Sequence, residues 1–246
     1  MNLGIKKRCA AVAGASAGLG FATAKALTEE GVRVAICGRN EAKLHEAALL
    51  IGAVPIVADV GNRAGAESFI EEAYDGLGGL DILVANAGGP KAGTFESTTI
   101  DDYPHALELN LLSTVAMCTR AIPHMRENGW GRVVAITSIA VRQPIPNLIL
   151  SNTARSGLTG FLKTLALEVA GDGITVNSLQ PGFHLTDRLE GLHGDGIEEL
   201  ARSIPTGEIG RPEDFGAVAA FLCSEQAKFI TGAAIPVEGG TYRALL

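Results

Sequence analysis

Gly14, Gly18 and Gly20, within Ala11-Val12-Ala13-Gly14-Ala15-Ser16-Ala17-Gly18-Leu19-Gly20, are the residues whose spacing speaks most directly of chemistry. They separate a short apolar run, Cys9–Ala13, from Phe21–Glu30, where Phe21, Ala24, Leu27 and Thr28 recur at helical spacing. A glycine-rich turn between a buried strand and a helix leaves backbone N–H groups open at the helix N-terminus, where a phosphate or pyrophosphate can bind. Glycine is needed where a Cβ would block the turn or the approach of a ligand to the backbone. Three glycines alone also fit a plain tight turn, so the surrounding chain must decide. In dinucleotide sites an acid about 20 residues further on takes the ribose hydroxyls, whereas an arginine there suits a 2′-phosphate. Here the second apolar run ends in Cys37-Gly38-Arg39-Asn40, with no acid at its tip. The planar fork of Arg39 matches a phosphate; the alternative is a solvated surface arginine. The pattern favours NADP(H) over NAD(H).

Such a loop must be carried by a buried parallel sheet, and the chain alternates accordingly. Val32–Cys37, Val54–Ala58, Leu80–Ala85, Arg132–Thr137, Ile174–Leu179 and Ala233–Val237 read as further short strands. Between them helices are predicted over Asn40–Ile51 (Asn40 as N-cap), Asn62–Leu77, Tyr103–Asn128 (bent near Pro123), Ser151–Ala170 and Pro212–Ser224. Leu158, Phe161, Leu162, Leu165 and Val169 give Ser151–Ala170 one apolar face. Ser151 itself is a candidate N-cap. Ser138–Leu150 reads as a loop, and Pro181–Pro205 as a long irregular stretch. The expectation is one α/β domain over residues 1–246: a doubly wound, Rossmann-type parallel sheet of about seven strands with helices on both faces. Ligands belong at the C-terminal strand ends, with a substrate-covering segment at about 187–210.

A hydrophobic content of 47% and positive mean hydropathy suit a sheet buried on both faces. The net charge of −7 argues against nucleic acid or an anionic membrane surface as partner, and no apolar run has the length needed to span a bilayer. Lys6-Lys7-Arg8 before an alanine-rich run has the outline of an export signal, but glycines interrupt the run and it lacks a leucine-rich segment. Cys9, Cys37, Cys118 and Cys223 show no metal-ligand spacing, so no metal is expected. They read as reduced core residues of a cytoplasmic protein.

Taken in order along nearly the whole chain, these residues resemble the short-chain dehydrogenase/reductase family, and within it the 3-oxoacyl-acyl-carrier-protein reductases. Ala13–Gly20 resembles the Thr-Gly-x-x-x-Gly-x-Gly cofactor loop, which implies cofactor contacts from Gly14, Ser16, Ala17, Gly18, Leu19 and Gly20. Asp59-Val60 resembles the adenine-contacting pair, and Asn86-Ala87-Gly88 the Asn-Ala-Gly turn after the fourth strand. Asn110 falls where the family carries its active-site Asn, and Ser138 where it carries its catalytic Ser. Pro181-Gly182-Phe183-His184-Leu185-Thr186 resembles the Pro-Gly segment beside the nicotinamide, implying contacts from Pro181, Gly182, His184 and Thr186. Glu238-Gly239-Gly240 resembles the family's C-terminal acid-Gly-Gly. The resemblance implies a small-molecule carbonyl or alcohol substrate. It also implies a homo-oligomer, tetramer or dimer, built through the long helices.

The departures matter as much. The family places a Tyr thirteen residues after its Ser and a Lys four further on; here those positions hold Ser151 and Arg155, and the flanking Ala154, Gly157 and Leu158 keep the register. The only tyrosines are Tyr74, Tyr103 and Tyr242. Ala13 stands in place of Thr, and Ala17 where NADP-preferring members often carry a base, which weighs against the reading of Arg39. The family's Tyr is a general acid, an effect worth roughly 10²–10⁴-fold in rate. Ser151 is a far weaker acid. Arg155 stays charged: it can hold the nicotinamide ribose or stabilise a developing alkoxide, but it cannot shuttle a proton. Asn110 would hold a water near Ser151, and His184 or His193 could replace the lost acid. Two functions remain open: an NADP(H)-dependent carbonyl reductase or alcohol dehydrogenase without the usual acid, or a catalytically impaired NADP-binding protein with a regulatory or partner-binding role.

Overall fold

Uninterrupted apolar runs become strands here because helices cover both faces of the sheet's central strands, while the two edge strands stay partly exposed. The computed structural model describes residues 2–245, apart from the side chains of Leu192, His193 and Asp195. Its strands are β1 (Cys9–Val12), β2 (Arg33–Gly38), β3 (Val54–Val57), β4 (Ile82–Ala85), β5 (Gly131–Ile136), β6 (Ile174–Pro181) and β7 (Ala234–Val237). All pair in parallel, in the order β3-β2-β1-β4-β5-β6-β7. The order reverses between β1 and β4, the switch point at which open α/β sheets bind ligands.

Strand periodicity sends alternate residues to opposite layers. Cys9 and Ala11 of β1 join a core with Phe69, Met117 and Leu162, which belong to helices α3 (Arg63–Leu77), α5 (Ser113–Glu127) and α6 (Ile149–Val169). Ala10 and Val12 join the other core, with Leu27, Leu44 and Phe215 of α1 (Gly18–Glu29), α2 (Glu41–Ile51) and α9 (Pro212–Leu222). The last of these packs so tightly on α1 that a Cβ at Gly216 would overlap the Ala22 carbonyl.

Helix starts follow the sequence where a polar cap exists. Asn40 accepts from the Lys43 N–H at 3.0 Å and Asn62 from the Gly65 N–H at 2.9 Å. They depart from it elsewhere. Helix α6 begins at Ile149, two residues before Ser151, with Leu148 in the cap position and no side-chain bond to the first turn. Ser151 is therefore inside the helix and not its cap. The long helix starts at α4 (Asp102–Leu107), passes through a π-helical turn over Glu108–Leu112, and continues as α5 through Pro123. The irregularity falls at the π turn, where an inserted residue widens the coil, and the helix runs on past the proline. Residues 181–205, expected to be irregular, contain α7 (Asp187–His193) and α8 (Ile197–Ser203).

At the N-terminal strand ends Trp130 lies between two guanidinium groups, Arg8 at 3.8 Å and Arg132 at 4.2 Å from its ring centroid, and donates to Glu225 at 2.7 Å. Arg132 is only 2% exposed and bonds the Gly131 carbonyl at 2.8 Å; Arg8 pairs with Asp81 at 2.9 Å. This cationic layer closes the edge away from the ligand side. All four cysteines are free and buried. Among the described residues no helix is long and apolar enough to cross a membrane.

Candidate active site

The glycine loop is shaped by its lack of side chains. Gly14 and Gly18 hold φ of +56° and +61°, a region that suits glycine. A Cβ on Gly20 would lie 2.5 Å from the Gly14 carbonyl oxygen and 2.9 Å from Asn86 Nδ2, so the third glycine is what lets α1 sit against the loop. Ala17, extended at the cap position, offers no side-chain acceptor, and the first-turn N–H groups of α1 stay available to an anion. Asn86 braces the loop from β4, its Nδ2 donating to the carbonyls of Ala13 (3.3 Å) and Gly14 (3.1 Å). Leu19 turns its side chain into the α1-side core, leaving only its backbone for a ligand.

A cleft of about 620 Å³ opens beside this loop, walled by Gly14, Ser16, Arg39, Asp59, Val60, Ala87 and Gly88 among others. The cleft therefore brings together residues from the ends of β1, β2, β3 and β4. Among the described residues Arg39 has no carboxylate partner within ion-pair distance; Asp59, across the cleft, has one oxygen bound to the Gly61 N–H at 2.9 Å. Gly38 packs under Ser16, whose hydroxyl would be 3.0 Å from a Cβ there. Lys91 and Asp102, paired at 2.6 Å, form part of the rim.

The four candidate catalytic residues lie around the C-terminal end of β5. Asn110 sits in the π turn, 3% exposed; its Nδ2 donates to the Gly88 carbonyl at 2.7 Å, and its Oδ1 is buried with no partner. Such an oxygen calls for a water or ligand donor. Ser138 Oγ accepts from the Ala140 N–H at 3.1 Å, capping a 3-10 turn over Ile139–Val141 and leaving its own proton free to donate. Ser151 and Arg155 are one helical turn apart on the buried face of α6. No described residue hydrogen-bonds the Ser151 hydroxyl. One terminal nitrogen of Arg155 donates to the carbonyls of Ile136 (3.0 Å) and Thr137 (3.1 Å), the residues just before Ser138. Burial lowers its pKa to about 10, helped by the nearby Arg188, and it remains a cation at neutral pH.

The Pro-Gly segment follows β6, whose last residue is Pro181. Gly182 abuts Glu238, leaving no room for a side chain. Thr186 stands 3.5 Å from where a Cβ of Gly18 would be, so this segment touches the glycine loop, and its hydroxyl caps α7 through the Leu189 N–H. His184 is packed, edge to face with Phe215 at 5.2 Å and against Gly210. Burial pushes its pKa below the ordinary histidine value, which works against a role as the replacement acid near neutrality. The side chain of His193 lies outside the described residues. Sequence reasoning missed Arg188, whose guanidinium rests on Gly89 so closely that a Cβ there would overlap it. The Thr186-Asp187 start of α7, a polar cap followed by an acid, was the available signal.

An open helix start suited to a pyrophosphate and a cleft with room for a nucleotide thus lie beside the hydroxyl, amide and guanidinium groups of Ser138, Asn110 and Arg155, and no tyrosine lines the cleft among the described residues. The family model described as Enoyl-(Acyl carrier protein) reductase matches residues 14–242. The chain is 35% identical to the 3-oxoacyl-[acyl-carrier-protein] reductase of Rickettsia bellii, over 94% of this chain and 95% of that protein. It is 33% identical to the acetoacetyl-CoA reductase of Cupriavidus necator, over 96% of this chain and 98% of that protein. Among solved structures, L-sorbose reductase from Gluconobacter frateurii, complexed with NADPH and L-sorbose, superposes with a TM-score of 0.92 at 30% identity, covering 100% of both chains. Fold, loop and ordered motifs agree: the chain belongs to the short-chain dehydrogenase/reductase family of oxidoreductases.

Proposed function

We propose that the protein is an NADP(H)-dependent carbonyl reductase or alcohol dehydrogenase, similar to 3-oxoacyl-acyl-carrier-protein reductases, working without the family's tyrosine acid. The observation that carries the cofactor choice is Arg39: it lines the cleft just past the end of β2, where no acid stands at the strand tip, and it has no carboxylate partner among the described residues. The N–H groups at the start of α1 would hold the pyrophosphate, Arg39 the 2′-phosphate, and Asp59-Val60 the adenine side. The bound nicotinamide would supply or accept a hydride at a carbonyl carbon. Ser138 donates its free proton in a hydrogen bond to the substrate oxygen. Arg155 steadies negative charge developing there. Asn110 Oδ1 would orient a water near Ser151, and the alkoxide left by hydride transfer would take its proton from bulk solvent relayed through that water, which solvent reprotonates, since neither Ser151 nor Arg155 serves as the acid. The expected result is slow turnover, since the missing acid removes roughly 10²–10⁴-fold.

A second reading has its own support. Arg155 is engaged by the carbonyls of Ile136 and Thr137 and Ser138 by a turn N–H, so both already have structural work. On this reading the protein binds NADP(H) without turnover, and occupancy governs a partner. Titrating NADPH and NADH by cofactor fluorescence, then screening carbonyl compounds for oxidation of the bound cofactor, separates the two. Tight binding with no oxidation across a broad panel refutes the reductase; no binding of either nucleotide refutes both. The proposal includes a homo-oligomer, supported by the exposed Leu112 and Leu167 on the long helices.

A further inference from the structure

Residues 183–210 leave and return through one narrow neck. The Leu185 N–H donates to the Gly210 carbonyl at 2.9 Å and the Gly210 N–H to the Phe183 carbonyl at 3.0 Å, which closes the segment into a flap. The flap carries α7 and α8, and two of its residues reach the cleft side: Thr186 stands over Gly18, and the Arg188 guanidinium lies on Gly89. Leu189 of α7 is buried, but α8 buries none of its residues. With so little packing of its own, the flap rests where its attachments hold it.

The second attachment is a foot. Ile204, only 3% exposed, and Thr206 press on Gly239 in the turn after β7, where a Cβ would lie 2.6 Å from Ile204 Cγ2 and 2.8 Å from Thr206 Oγ1. The Thr206 N–H donates to the Gly239 carbonyl at 3.2 Å, and Pro205 lies over Gly240. Gly239 and Gly240 hold φ of +68° and +86°, so the turn presents bare backbone to the foot. The same turn carries the start of the flap. The Gly182 N–H donates to the Val237 carbonyl at 2.9 Å, and Gly182 abuts Glu238, whose carboxylate accepts from the Tyr242 N–H at 2.8 Å. We propose that Gly239 is a positioning residue for the cleft: it seats Ile204 and Thr206, and through them sets how the flap closes over a bound nucleotide. The nucleotide part rests on the NADP(H) reading; the seat rests on the packing of the foot.

Trypsin tests the seat directly, because Arg188 and Arg202 both lie in the flap and cleavage there follows the population of its open form. Overpacking the seat with Gly239→Ala should quicken cleavage at these two sites about tenfold. NADPH chased with excess NADP⁺ should leave about tenfold faster, read by nicotinamide fluorescence. Gly52→Ala is the control: it has the same φ of +68° with nothing within 4 Å of a Cβ, and should lower the Tm without changing either rate. Ile204→Ala removes the side chain that sits on Gly239 without straining the turn, and should reproduce both effects even if Gly239→Ala does not fold. Unchanged cleavage in the folded variants overturns the seat. So does cleavage that quickens equally at lysines and arginines outside the flap, the sign of general loosening. Faster cleavage with unaltered NADPH release overturns it too, because the flap then does not govern the cleft. If the wild type binds no NADPH, the cofactor reading falls, and the cleavage rates still decide the seat.

Discussion

Replacing Arg39 gives the sharpest test of the cofactor assignment. The side chain leaves the last residue pair of β2, where Gly38 is in register with Val57 of β3, and so stands across from Ala58 and Asp59 on the cleft wall. It is exposed, so its pull on a phosphate is set by a surface environment. At 4 Å a pair of unit charges is worth about 1 kcal/mol in water and about 4 kcal/mol at the dielectric typical of protein surfaces. A hydrogen bond to a charged group contributes about 1.5–3 kcal/mol. The lower end suits this rim position, so Arg39→Ala should weaken NADPH by about tenfold and leave NADH nearly unchanged. Arg39→Asp adds repulsion to the 2′-phosphate and an acceptor for the ribose hydroxyls, and should reverse the preference. Salt provides a control: with a Debye length near 10 Å at 0.1 M, raising ionic strength should weaken NADPH in the wild type more than in Arg39→Ala. Dissociation constants for both nucleotides, from nicotinamide fluorescence at two salt concentrations, decide it. An unchanged NADPH-to-NADH ratio in Arg39→Ala refutes the reasoning.

Other expectations concern the rest of the site and the fold. Ser151→Tyr with Arg155→Lys should raise ketone reduction, by up to roughly 10²–10⁴-fold if the ring fits the place of the unpartnered serine; a folded but equally inert double variant would show that the pocket differs in more than its acid. Gly20→Ala forces a methyl against the Gly14 carbonyl and Asn86. Overpacking of about 1–3 kcal/mol should lower the Tm by about 2–4 °C per kcal/mol and weaken NADPH, and calorimetry showing no change would contradict the close approach of α1. His184 has a folded pKa below its unfolded one, so the unfolded chain takes up the proton first as pH falls. Its contribution is complete above the unfolded value near 6.5 and fades below it; His184→Gln should flatten the Tm profile between about pH 7 and 5, and an identical slope would remove His184 as its cause. Leu167→Glu should shift the proposed homo-oligomer toward smaller species in light scattering after size exclusion, whereas an unaltered mass would exclude α6 from its interface.

The strands were legible because a parallel sheet covered on both faces needs little beyond apolar side chains, and each begins and ends within two residues of its apolar run. Asn40 and Asn62 announced their helices through local capping. Ile149 did not, because α6 starts after Leu148 on packing alone, and that misplaced Ser151 as a cap. The π turn that presents Asn110 has no signature in one sequence; it is stabilised by the bond to Gly88, a partner distant in the chain. The same holds for Arg188, whose seat on Gly89 exists only once β4 and α7 meet. His184 read as a possible acid from residue type alone, and only packing against Phe215 and Gly210 showed what its ring does.

The arginine-flanked Trp130 gives the molecule an optical label of its own. It is the chain's single tryptophan and lies at the start of β5, whereas the cleft opens at the opposite ends of the strands. Six residues of strand separate the two edges, about 20 Å at 3.3 Å per residue. Indole emission therefore reports the loss of the Arg8–Trp130–Arg132 sandwich on unfolding, and does so for cleft variants whose substituted residues never touch it. Nicotinamide fluorescence reads the other end of the same sheet. Two colours thus separate a variant that has lost its ligand from one that has lost its fold.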